Sequence, residues 1–116
     1  MTTNLILVGV LLIAASAGSG VAKLLKVPSV MESMSSVGVS PRQVTVLAAL
    51  EIAGAIGLLL GVWSKPLGIV SAVCLALYFI GAVASHVRTR HSVAELGPAA
   101  VIAVIAITTT VLEVAR

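Results

Sequence analysis

Five side chains bring chemistry into surroundings that are otherwise apolar: Lys23, Glu51, Cys74, Tyr78 and His86. Each lies within, or at the end of, a long run of Ala, Val, Leu, Ile and Gly. Glu51 is the most demanding of them. It follows Pro41 by ten residues, which on a helix is roughly 15 Å along the axis at about 1.5 Å per residue. On a bilayer-crossing helix the carboxyl group is then near the midplane, where an unpaired charge costs at least ~2.5 kcal/mol. It must find a partner there or hold a proton.

Helix direction suggests the partner. Side chains tilt toward the N-terminus of their own helix. A span through Glu51 that follows a span through Lys23 runs antiparallel to it, so the two side chains lean toward each other. His86, near the end of a third span parallel to the first, leans the same way. Lys23, Glu51 and His86 are therefore expected to form an intramembrane polar cluster joining three helices. Such a cluster can fix helix register or act directly in transport or chemistry, and both readings stay open. The blander alternative has Lys23 snorkelling to the interface, His86 capping a helix end and Glu51 bonded to a backbone or hydroxyl group.

The other reactive side chains say less. Tyr78 is at mid-span, where its hydroxyl needs a partner, and it reads as a packing residue or a ligand contact. Cys74 has no second cysteine to pair with, which excludes a dithiol couple within the chain, and it is expected as a small buried apolar residue. Glu113, at the end of the last apolar run, is expected to reach water. Arg88, Arg90 and His91 form a basic turn suited to orientation, or to contact with anionic lipid or a partner. No catalytic set and no metal-ligand cluster is read, since His86 and His91 are five residues apart and do not face each other across a bundle.

The elements that position these residues follow from composition. Of 116 residues 59% are hydrophobic and 9% charged, with a mean hydropathy of +1.22. A soluble domain of this size has too little interior for so much apolar surface. Four apolar runs, at 5–25, 41–63, 66–87 and 96–114, are each long enough to cross a bilayer. They are continuous rather than alternating, so helices are expected and a barrel is not. The fold class is thus all-α, a single transmembrane domain built as a four-helix bundle. The net charge of +3 comes from basic residues at span ends and gives no reason to expect nucleic acid.

"ASAGSGVAKLLKVPS" at 15–29 has the small-x-small look of a signal-peptidase site, but "MTTN" before the apolar run lacks the basic region of a signal peptide. The first span is expected to be retained. Four spans put both termini and the Ser64–Lys65 turn on one side of the membrane, with Lys65 and Arg116. The loops at 26–40 and 88–95 lie on the other, with Lys23, Lys26, Arg42, Arg88 and Arg90. The excess predicts cytoplasmic loops and outward termini.

Local signals punctuate the spans. Ser29-Val30-Met31-Glu32, directly after Pro28, is a capping-box pattern, and Val30, Met31, Met34 and Val37 fall on one side of a short helix that Gly38 can stop. This is expected as an interfacial helix between the first two spans. Ser40-Pro41-Arg42-Gln43 is a second box with Pro at the first helical position, and Ser92-Val93-Ala94-Glu95 a third. Pro98 should kink the last helix or begin it. Ser16, Gly18 and Gly20 in the first span, and Gly54, Gly57 and Gly61 in the second, mark expected close helix approach. Trp63 suits an interfacial anchor.

Taken together, "GSGVAKLL" at 18–25, "LEIAGAIGLLLG" at 50–61 and "GAVASHVR" at 81–88 resemble the DoxX-like family of small bacterial membrane proteins. The pattern carries over to Lys23, Pro28, Glu51, Gly81, His86 and Pro98. The resemblance implies a four-helix membrane bundle, with members associated with a thiosulfate:quinone oxidoreductase or resembling accessory subunits of membrane assemblies. Three functions follow as expectations. The leading one is a non-catalytic accessory or stabilising subunit of a transporter or oxidoreductase, whose partners are the bilayer and other membrane subunits. The second is a redox module binding quinone, the one cofactor considered, with Glu51, His86 and Tyr78 handling protons. The third is a small proton-coupled exporter, disfavoured by a bundle with one Trp, one Tyr and one Phe.

Overall fold

The protein is described by a computed structural model covering residues 3–36, 38–88 and 93–116. Its helices are α1 (Thr3–Leu24), α2 (Pro28–Ser36), α3 (Pro41–Leu60), α4 (Lys65–Arg88) and α5 (Val93–Ala115). Four of them are long and apolar enough to cross a membrane: Thr3–Leu24, Pro41–Leu60, Lys65–Arg88 and, within α5, Gly97–Ala115. They pack as a ring in the order α1, α3, α4, α5 and back to α1, with the short α2 laid against α1 and α3. The longest dimension is 40 Å, close to the thickness of a bilayer with its headgroup regions.

Each boundary has a local cause. α1 ends in a Schellman motif: Val27 N–H bonds to Ala22 O (3.2 Å), Lys26 N–H to Lys23 O (3.1 Å), and Lys26 takes the left-handed position with φ 53°. α2 ends the same way, with Gly38 at φ 82° and Val39 N–H bonded to Met34 O. It starts two residues earlier than the capping-box reading required. The Val27 carbonyl accepts the Met31 N–H at 3.0 Å and Pro28, with its fixed φ, opens the first turn. Ser29 is therefore inside the helix and caps nothing.

The box at α3 is formed. Ser40 Oγ accepts the Gln43 N–H at 3.3 Å and Ser40 N–H donates to Gln43 Oε1 at 2.9 Å. α3 stops at Leu60, short of Trp63, because residues 61–64 close a tight turn through Val62, Trp63 and Ser64 N–H groups. α5 begins before Pro98 and runs through it, so the missing N–H falls in the second turn. The Ser92–Glu95 box lies outside the described residues, as do the side chain of Ser33 and residue Val37.

The core is apolar and small, built around Leu12, Leu58, Leu75 and Phe79 with Ala72, Ala76, Ala103 and Ala106. Bulky side chains such as Leu7, Leu50, Leu77, Val104 and Val111 point outward, as lipid-facing helices require. The α3–α4 seam depends on glycine. A Cβ on Gly54 would come within 2.6 Å of Leu75, one on Gly57 would collide with Ser71, and one on Gly61 would lie 2.5 Å from Gly68 Cα. Gly20 gives α1 the same closeness to Ala48 and Ile52 of α3. Gly18 differs from expectation: nothing lies within 4 Å of an added Cβ, because two residues along a helix turn it by about 200° from Gly20.

Candidate functional site

Ser19 and Lys23 are four residues apart on α1 and so share a face, the face that Gly20 allows against α3. Glu51 lies opposite on α3. Lys23 Nζ is 3.0 Å from Glu51 Oε1 and 3.2 Å from Oε2, and donates to Ser19 Oγ at 2.8 Å. Ser19 Oγ in turn donates to Glu51 Oε1 at 3.0 Å. The ammonium has three donors, and all three find acceptors in this closed circuit. Glu51 is 0% exposed and Lys23 7%. Lys23 is at the loop end of its helix and Glu51 near the middle of its own, so the lysine reaches down toward the carboxylate, as helix tilt requires.

Tyr78 of α4 is within interaction range of the same carboxyl group, and its ring meets Phe79 edge-on with centroids 5.0 Å apart. His86, buried and two turns further along α4, lines a cavity that Lys23, Glu51 and Tyr78 also line. That cavity has a volume of about 720 Å³, draws its wall from all five helices, and is covered at the loop end by Ser29, Val30 and Met34 of α2. Among the described residues, no group of three or more His, Cys, Asp or Glu side chains is arranged to hold a metal ion.

Three placements differ from the sequence reading. Cys74 is exposed on the outer face of α4 rather than buried, because the small residues that α4 turns inward are Gly68, Ser71, Ala72 and Ala76. Glu113 is 3% exposed rather than reaching water. It folds over Gly68, where an added Cβ would lie 2.6 Å from Glu113 Oε2, so the missing side chain makes room for the carboxylate. Arg116 Nε is 2.8 Å from that oxygen, a charge contact rather than a hydrogen bond. The Arg116 guanidinium also donates to the Gly61 carbonyl, and Lys65 donates to the Arg116 carbonyl. Arg88 is exposed at the end of α4, while Arg90 and His91 lie outside the described residues.

Sequence reasoning missed Ser19, although its i, i+4 spacing from Lys23 was the available signal. It also missed the cavity, which no spacing encodes. What the arrangement does chemically is specific: it neutralises two charges within the membrane, stitches α1 to α3, and sets polar groups on the wall of an otherwise apolar chamber.

Residues 7–108 match the family described as DoxX-like. No curated protein and no solved structure matches the chain.

Proposed function

We propose that this chain, which belongs to the DoxX-like family, serves as a non-catalytic accessory or stabilising subunit of a larger membrane complex, a transporter or an oxidoreductase. One observation carries the reading. The polar groups best placed for chemistry are one another's partners, with Lys23 spending its donors on Glu51 and Ser19. An exporter that exchanges protons at Glu51 would need that carboxylate released at every turnover, whereas here it is pinned between two helices. The apolar outer faces of the helices offer surface to lipid and to neighbouring helices alike. In this reading the chain resides in a bacterial plasma membrane with both termini outside and the two loops, basic at their borders, cytoplasmic.

The test is loss of the chain. Quantitative mass spectrometry of membranes from cells lacking it is expected to show one membrane complex falling in abundance, restored by the wild-type chain. An unchanged membrane proteome would remove the reading.

A further inference from the structure

We propose that the cavity beside the Lys23–Glu51 pair is a binding site for a neutral, single-chain amphiphile whose head carries a hydroxyl group. The inference does not depend on whether the bundle is a subunit of anything larger.

Size comes first. Small-molecule sites between helices of bundles have volumes of roughly 300–1,000 Å³, and this one has about 720 Å³. At about 30 Å³ for each water-sized group, that is room for roughly two dozen heavy atoms. A single acyl or prenyl chain with a small head fits; a two-chain phospholipid does not fit whole.

Access comes second. Leu77 and Gly81 line the cavity and are also exposed on the outer surface of α4. The mouth therefore opens sideways, at the level where lipid chains lie. α3 and α4 are drawn together where Gly54, Gly57 and Gly61 meet residues 68–75, and the cavity lies beyond that seam toward the loops.

Head chemistry comes third. The Lys23 ammonium already serves Glu51 and Ser19, so the wall is net neutral there and has no spare cationic donor for a carboxylate or phosphate head. An anionic head would instead meet Glu51, and a cationic head would meet Lys23. Ser29, Ser85 and His86 also line the wall, and beside the ion pair a hydroxyl suits two groups at once: it can accept from the Tyr78 phenol and donate to the Glu51 carboxylate, whose oxygens accept more than one hydrogen bond. Leu47, Phe79 and Ile102 supply apolar wall for the tail.

The experiment uses the full chain in bilayers with diazirine-tagged probes of matched length: a monoacylglycerol, a prenyl alcohol, a fatty acid and an acylcholine. The two hydroxyl probes distinguish a straight from a branched tail, and labelling by either supports the site. Labelled positions are expected at cavity-lining residues such as Leu47 and Ile102, with signal falling about tenfold in Ala82→Phe or Ala99→Phe, which fill the chamber from α4 and α5 and leave both members of the ion pair in place. A folded Ala82→Phe variant, checked by its unchanged melting profile, that labels like the wild type would overturn the proposal. So would equal or stronger labelling by the fatty acid or the acylcholine, or labels spread evenly over lipid-facing residues.

Discussion

Removing the lysine of the ion pair should disturb this bundle more than removing the glutamate, although the two make the same contact. Lys23→Met leaves the Glu51 carboxylate, 0% exposed, with the Ser19 hydroxyl and no ammonium. Stranding one member of a buried pair costs about 3–5 kcal/mol. Glu51→Gln strands the lysine instead, but Lys23 is the penultimate residue of α1 and can turn its flexible stem to the interface. Its loss is expected at about 1–2 kcal/mol. The double variant Lys23→Met/Glu51→Gln removes both charges and should fall at least ~2 kcal/mol short of the sum of the singles. The assay is reversible unfolding by transfer from mild detergent into dodecyl sulfate, followed by emission of Trp63, the sole tryptophan. Ordinary interhelical hydrogen bonds in membranes average only ~0.6 kcal/mol. A Lys23→Met cost of that size, or additive singles, would refute the reasoning.

The glycines should separate by face. Gly61→Ala is expected to destabilise by about 1–3 kcal/mol, since its Cβ would press on Gly68 backbone, whereas Gly18→Ala should be neutral or slightly stabilising; the same unfolding titration reads both. Lys26→Gly relieves a left-handed φ of 53° and should raise stability by about 0.5–1 kcal/mol, measured as a shift in the unfolding midpoint. Cys74, exposed on the lipid-facing side, should react in intact membranes with an apolar maleimide and resist a charged one; equal reaction with both would place that face in water.

The spans were legible because their apolar runs are long and interrupted by turn chemistry that has one local solution, as at Ser40-Pro41. Pairing of α1 with α3 through Lys23 and Glu51 follows from helix direction, which topology alone sets. The facing of individual residues was much less legible. In lipid the outside of a helix is as apolar as its inside, so no moment separates Cys74 from Ala72, or Gly18 from Gly20, and only packing decides. Glu113 shows the same limit at a helix end: proximity to water suggested exposure, but the space above Gly68, a feature of another helix, takes the carboxylate in. The cavity is a property of how all five helices come together on the loop side of the glycine seam, and no residue announces it.

The accessory-subunit account is tested most directly by purifying the tagged chain in mild detergent at native expression and identifying, by mass spectrometry, everything held at fixed stoichiometry. The expected result is one membrane complex carrying the chain in a constant ratio. A chain recovered alone, as a single 11.7 kDa species or its own oligomer, would contradict the account.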